Sequence, residues 1–96
     1  MIAEIHVSPS PAGTPEDRYA HVEAAIAVIQ ASGLRYEVGG LGTTFEGEPE
    51  DVWAALRAAH EAVIVSGADG LITSIRLGQH AADDITIDAL TAKFRT

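Results

Sequence analysis

The chain has 96 residues, of which 47% are hydrophobic and 21% charged; this balance is typical of one globular domain over 1–96 and excludes an intrinsically disordered chain. Its 14 acidic residues outnumber six lysines and arginines, and the resulting net charge of −8 makes nucleic acid an unfavourable partner. A domain this small buries only about 60–65% of its unfolded surface, so we expect it to associate with copies of itself.

The first elements in chain order are a strand, a loop and a helix. Apolar and polar residues alternate over 2–7, which predicts a half-buried strand. Three prolines over 8–15 predict a loop, because proline has no amide donor. Thr14 is placed to cap a helix over 15–31, and Gly33 suits its carboxyl end.

The middle of the chain predicts a β-hairpin. Leu34, Tyr36 and Val38 alternate with polar residues or glycine, and a β-branched and aromatic segment follows at 43–46. The glycine-rich segment 39–42 between them is typical of a tight reversal. The two strands are therefore expected to pair in antiparallel fashion.

A second helix, a fourth strand and a short helix complete the series. The helix is expected to begin near Pro49 and to end near Gly67, with apolar residues along one stripe. Alternation over 71–77 predicts the strand, and a terminal helix over 85–94 is expected to be capped by Asp84 or Thr86.

This order predicts an α+β fold, the ferredoxin-like βαββαβ sandwich with a short C-terminal helix. Two right-handed strand-helix-strand crossovers place both helices on one face of a four-stranded sheet. The opposite face mixes apolar and charged residues, and we expect it to be used for oligomerisation. Residues on that face are Ile2, Glu4, His6, Arg35 and Glu37.

Several site classes are unfavourable in this sequence. The four histidines lie in four different elements without an i, i+4 pair, and the chain has no cysteine, so we expect no metal site and no disulfide. No catalytic triad or phosphate-binding glycine loop is present, and we expect no catalytic residue. No apolar run of about 18 residues exists. We expect no membrane span and a cytoplasmic location.

The glycine-rich hairpin is the most informative segment for function. Its glycines let a ligand approach the backbone, and Glu37, Thr43, Thr44 and Glu46 supply carboxylates and hydroxyls around it. Such a rim suits a small polar cation, although a hairpin that needs its glycines only for turning remains the alternative.

Several segments carry a resemblance to a known family over nearly the whole chain. They are Met1-Ile2-Ala3-Glu4-Ile5 with Ser8-Pro9, Ser32-Gly33-Leu34-Arg35-Tyr36-Glu37-Val38-Gly39 leading to Gly42-Thr43-Thr44-Phe45-Glu46-Gly47, Ala59-His60-Glu61-Ala62-Val63 with Gly67, Thr73-Ser74-Ile75-Arg76, and Ile85-Thr86-Ile87-Asp88. In these segments the chain resembles the small thiamine-binding domain family, the YkoF-like proteins.

The resemblance implies a ferredoxin-like homotetramer that binds thiamine or its hydroxymethylpyrimidine part without converting it, so that thiamine is a bound ligand and no catalytic cofactor is expected. It places Glu37, Thr43 and Thr44 at the polar edge of the ligand, with Ser8 and Thr73 as neighbours. Tyr36 and Trp53 have rings that could stack on the ligand, but their positions favour packing in the core.

Two other functions remain open at this stage. One is a small cofactor-free enzyme on the same fold that uses His6 or His60 as its base. The other is a structural or regulatory oligomeric module that binds no small molecule. The fold alone does not choose among them, because this architecture supports many unrelated activities.

Overall fold

A computed structural model of the chain describes residues 1–95. Its strands are β1 (Ile2–Ser10), β2 (Arg35–Val38), β3 (Thr43–Glu46) and β4 (Gly70–Gly78), and its helices are α1 (Ala20–Ala31), α2 (Pro49–Val65) and α3 (Ile87–Thr91), followed by a 3₁₀ turn, Ala92–Phe94. The strands form one antiparallel sheet in the order β2-β3-β1-β4. The ferredoxin-like prediction is confirmed.

The hydrophobic core lies between one sheet face and the two long helices. Ala3, Ile5 and Val7 of β1 and Phe45 of β3 point into it, which follows from the alternation in the sequence. The helices contribute Ala25 and Ile29 from α1 and Val52, Leu56, Ala59 and Val63 from α2. The other sheet face is called the open face below.

The first strand is longer than predicted and includes part of the proline segment. β3 pairs with β1 only from Ile2 to Ile5, whereas β4 pairs along the whole of β1, with Pro9 opposite Leu71. Proline can occupy this end of the strand because β3 no longer pairs there. The predicted loop therefore begins after Ser10.

The first helix is shorter than predicted. The hydroxyl of Thr14 accepts a hydrogen bond from Asp17 N at 3.0 Å, but this closes a separate turn that precedes α1. A Cβ on Gly13 would lie 2.3 Å from Asp17 O, so glycine is required for this tight turn. The carbonyl of Ala12 accepts hydrogen bonds from the amides of His21 and Val22 in the first turn of α1.

The C-terminal helix lies on the open face, over β2 and β3. Thr86 caps α3 by accepting a hydrogen bond from Ala89 N at 3.0 Å, as one of the two predicted caps. Ile87 is buried, and its amide donates to Glu46 Oε1 at 3.0 Å. The C-terminal segment therefore covers part of the face that the sequence predicted for oligomerisation.

Candidate functional site

A cleft of about 460 Å³ lies between the start of α1, the middle of β1 and the β2–β3 hairpin. Its size lies within the usual range of small-molecule sites, roughly 300–1,000 Å³. The residues that line it are Ile5, His6, Val7, Tyr19, Val22, Glu23, Ala25, Ile26, Gly39, Gly40, Leu41, Gly42 and Thr43. Most of these walls are aliphatic or glycine backbone, so the cleft suits a flat, mainly apolar molecule.

The hairpin wall requires glycine for close approach rather than for left-handed dihedrals. Gly39 N donates to Gly42 O at 2.8 Å and closes the turn. A Cβ on Gly42 would lie 3.2 Å from Ile5 O, so this glycine lets the hairpin pack against β1. A Cβ on Gly40 would meet no atom within 4 Å, and Gly40 has no positive φ. Gly40 therefore faces open space at the cleft.

The helix side of the cleft carries the ring of Tyr19 and the carboxylate of Glu23. These residues are four positions apart, and the amide of Glu23 donates to Tyr19 O at 2.8 Å in the first helical turn. This spacing stacks their side chains on one helix face. Tyr19 is 53% exposed, and the Arg18 guanidinium carbon lies 5.8 Å from the centroid of its ring. The ring is therefore accessible to a cation.

The five predicted ligand residues are not brought together in this cleft. Thr43 is buried and lines it, whereas Thr44 is opposite Glu4 on the open face and lines a second hollow of about 280 Å³. The two threonines separate because successive side chains of a strand point to opposite faces. Ser8 is exposed on β1, opposite Ile72 of β4.

The remaining two predicted residues have partners within the protein. The hydroxyl oxygen of Thr73 on β4 lies 2.6 Å from His60 Nδ1, and this hydrogen-bonded pair joins the edge strand to α2. Glu37 on β2 accepts hydrogen bonds from Arg35 at 3.1 Å and from Arg95 at 2.7 Å. Its carboxylate belongs to the contact between β2 and the C-terminal segment, not to the cleft.

Four charged side chains form a closed ring that joins this segment to β2. Arg35 and Arg95 each contact both Glu37 and Asp88, at 2.7–3.1 Å. Hydrogen bonds from Arg95 and then Arg35 hold the pKa of Asp88 below its usual range. Hydrogen bonds to Asp88 and Glu37 raise the pKa of Arg35.

Sequence reasoning missed Tyr19 and Glu23 as cleft residues. Their four-residue spacing at the start of a helix was visible in the sequence, but its position beside the hairpin was not. Of the two aromatic residues considered for stacking, Tyr36 packs against the core, whereas Trp53 is 53% exposed on α2 and does not line the cleft.

Residues 1–95 carry neither a metal-binding cluster nor a membrane-spanning helix. Within that range no group of three or more histidine, aspartate or glutamate side chains is arranged to hold a metal ion. No helix in the described part of the chain is both long and apolar enough to cross a bilayer.

Several known proteins are similar to this chain in sequence or in structure. A UPF0045 protein of Methanothermobacter thermautotrophicus is 36% identical over 58 residues, which are 59% of this chain and 59% of that protein. A domain of unknown function from Bacillus cereus has a TM-score of 0.82 at 36% identity, covering 99% of this chain and 91% of the other. A Thermotoga maritima protein with a proposed role in thiamine biosynthesis or salvage shares the fold, with a TM-score of 0.78 at 24% identity and coverage of 99% and 100%.

The family match extends over almost the whole chain. Residues 3–95 match the sequence profile of the family described as thiamine-binding protein. The resemblance found in the hairpin and strand segments is thereby confirmed, and the chain belongs to the thiamine-binding protein family.

Proposed function

We propose that the protein binds thiamine, or its hydroxymethylpyrimidine part, in the cleft beside the hairpin and releases it unchanged. The family to which the chain belongs supports the ligand class. The observation that carries the proposal is the open cleft of about 460 Å³, which lies where a glycine hairpin meets the first turn of α1. The third function considered, a module without a ligand, would not need such a cleft.

The chemistry of the walls supports this ligand. Thiamine has two flat rings, and Ile5, Val22 and Ile26 offer aliphatic surface for them. Its aminopyrimidine needs hydrogen-bonding groups, which the Thr43 hydroxyl and the backbone of the glycine turn can supply. Its thiazolium is a permanent cation, for which Glu23 is a counter-ion at the rim.

Binding without catalysis is part of the proposal, with no cofactor. His60, one of the two candidate bases, is paired with Thr73 and does not line the cleft. His6 is exposed on β1, the strand that forms part of the cleft wall, so the test must measure ligand recovery as well as binding. Thiamine recovered intact by mass spectrometry after long incubation with stoichiometric protein supports a carrier; a product that disappears in His6→Ala supports an enzyme.

A matched pair of glycine variants tests the location of the site. Gly40 lines the cleft and Gly70 lies at the start of β4, and a Cβ at either position would meet no atom within 4 Å. At a thiamine concentration 100 times Kd, wild type should gain about 2.7 kcal/mol of stability. This corresponds to a rise in Tm of roughly 10–20 °C for a domain of this size.

Gly40→Leu should lose this thermal shift while keeping the Tm of the unliganded protein, because leucine would fill the cleft. Gly70→Leu should retain the shift. No calorimetric heat and no thermal shift with either thiamine or hydroxymethylpyrimidine in wild type would refute the proposed function. Equal loss of binding in both variants would refute the location.

We also propose that the protein acts as a homotetramer in the cytoplasm, a compartment that the cysteine-free composition permits. The edge strand β4 supports self-association. It pairs with β1 over nine consecutive residues, from Gly70 to Gly78, without a bulge, and Arg76 is its one charged residue. Long edges of this kind are usually protected by charge, proline or a bulge.

Native mass spectrometry tests the tetramer. Ile72 is 72% exposed on β4, and Ile72→Lys should shift the assembly toward smaller species. Val65, at the end of α2, is 86% exposed, and Val65→Lys is the control that should leave the assembly unchanged. A wild-type protein that is monomeric at micromolar concentration would contradict this part of the proposal.

A further inference from the structure

The charges around the cleft are distributed unevenly. Glu23 is the one acidic residue that lines the cleft, and no lysine or arginine does so within residues 1–95. Four of the six cations lie near carboxylates elsewhere. Arg35 and Arg95 belong to the ring around Glu37 and Asp88, Arg57 pairs with Glu61 at 2.9 Å, and Arg76 lies 3.9 Å from Glu4.

Resting on the proposed function, we infer that Glu23 and Tyr19 make the cleft selective for a cationic, unphosphorylated ligand. The carboxylate of Glu23 and the face of the Tyr19 ring together form a subsite for an aromatic cation. In thiamine this group is the thiazolium, and the neutral pyrimidine part then lies toward Thr43 and the glycine turn. The pair determines specificity, while the apolar walls supply affinity that is common to all related ligands.

The geometry supports the assignment to these two residues. Tyr19 and Glu23 are one helical turn apart on the same face, so a cation over the ring also lies near the carboxylate. The guanidinium carbon of Arg18 lies 5.8 Å from the ring centroid, within the range of a cation–π contact, so the ring can accept a cation. Arg18 is exposed, so a ligand cation can displace it at small cost.

Phosphate esters are disfavoured by the same arrangement. A diphosphate brings two or more negative charges toward Glu23, and no cation in the described chain lines the cleft to compensate. The guanidinium carbon of Arg18 lies 5.8 Å from the centroid of the Tyr19 ring, but a thiazolium over that ring would displace it. The ligand class is therefore the free vitamin rather than its coenzyme form.

The test compares three probes on two charge-matched variants. Isothermal titration of thiamine, neutral hydroxymethylpyrimidine and thiamine diphosphate is performed at low and high salt with wild type, Glu23→Gln and Glu16→Gln. Glu16 is exposed in the segment before α1 and does not line the cleft, so its variant has the same net charge as Glu23→Gln. Tyr19→Leu tests the ring independently, since leucine keeps the apolar surface.

In wild type, thiamine should bind more tightly than the diphosphate. Glu23→Gln should lower the affinity for thiamine about three- to tenfold at low salt and by less at high salt. The affinity for the neutral pyrimidine should stay nearly unchanged. Tyr19→Leu should lower the affinity for thiamine more than the affinity for the pyrimidine. Glu16→Gln should change neither affinity. These differences report the cation subsite directly.

Two failures are distinguishable. If wild type binds neither thiamine nor the pyrimidine, the proposed function fails, and the selectivity fails with it. If wild type binds both but Glu23→Gln changes both equally, changes neither, or matches Glu16→Gln, the cation subsite is refuted and binding in the cleft still stands. Preferred binding of the diphosphate also refutes it.

Discussion

Replacing Gly67 with alanine should destabilise the protein through one contact between the two long helices. Gly67 follows α2 with a φ of +122°, and a Cβ there would lie 3.2 Å from His21 Cε1. His21 is buried on α1, and its Nδ1 is 2.8 Å from Ser66 Oγ. The Ser66 hydroxyl donates its hydrogen to Val63 O, so His21 Nδ1–H is the donor to Ser66.

The magnitude follows from two terms. An L-residue in a sparsely populated backbone region costs about 1–3 kcal/mol, with the upper end expected so far from the left-handed helical region. Displacing His21 from Ser66 costs about 1 kcal/mol more, the usual net value of a hydrogen bond. Alanine also lowers the conformational entropy of the unfolded chain, which offsets about 0.4–1 kcal/mol of this loss in the free energy of unfolding. Gly67→Ala should therefore lose about 3 kcal/mol.

Gly33→Ala is the matched control. Gly33 follows α1 with a φ of +79°, but a Cβ there would meet no atom within 4 Å. Gly33→Ala should cost only the strain of an L-residue in a left-handed backbone conformation, about 1–2 kcal/mol. The lower entropy of the unfolded chain offsets part of this cost, as it does for Gly67→Ala. The two variants should differ by about 2 kcal/mol in urea denaturation, or roughly 8–16 °C in Tm.

A double-mutant cycle completes the test. Gly67→Ala and His21→Ala should be non-additive, because removing the imidazole also removes the contact with the new Cβ. Equal destabilisation by Gly67→Ala and Gly33→Ala, or strict additivity in the cycle, would refute the reasoning that His21 packs against Gly67.

Other predictions concern the cleft, the ion ring and the core. Arg18→Ala should increase thiamine affinity severalfold in calorimetry, because it removes a cation that competes for the Tyr19 ring; unchanged or weaker binding would contradict this. The pKa of Asp88 is lowered in the folded protein, because its carboxylate is held by Arg95 and Arg35. The ionised carboxylate therefore stabilises the position of the C-terminal segment at pH values above the ordinary carboxyl pKa near 4. This stabilisation is lost as the pH falls through the lowered pKa. Hydrogen exchange at the Ile87 amide, corrected for its intrinsic pH dependence, should accelerate on acidification, and Asp88→Asn should show fast exchange at neutral pH already. Phe45→Ala should cost about 3–5 kcal/mol in chemical denaturation because Phe45 is fully buried, whereas Phe94→Ala, at a residue 72% exposed, should stay within about 0.5 kcal/mol of wild type.

Sequence reasoning was most successful where structure depends on local pattern. Alternation predicted three of the strands and a β-branched and aromatic segment predicted the fourth, β3; Thr86 was one of two expected caps for the terminal helix. It was wrong at the first loop, where Pro9 joins β1 because β3 does not extend that far, and at Thr14, whose bond to Asp17 N closes a turn before the helix. In both places the outcome depends on a neighbour that is distant in sequence or on tight backbone packing.

The candidate site was less predictable than the fold. The sequence singled out the hairpin, and the hairpin does form one wall of the cleft. It grouped Thr43 with Thr44 and Glu37, although strand alternation and the salt-bridge ring place the latter two on the open face. The charged residue at the cleft, Glu23, comes from a helix about twenty positions earlier.

By itself, the sequence determined the fold class and the order of elements, because periodicity, caps and glycine turns act between residues that are close along the chain. It also indicated the family, through the resemblance of several short segments. Only the tertiary structure decided that the first turn of α1 lies beside the hairpin and that the C-terminal segment covers part of the open face. Those placements depend on which apolar surfaces and charged side chains come into contact once the sheet and helices have packed. Such contacts join residues that are far apart in the sequence, so no local pattern predicts them.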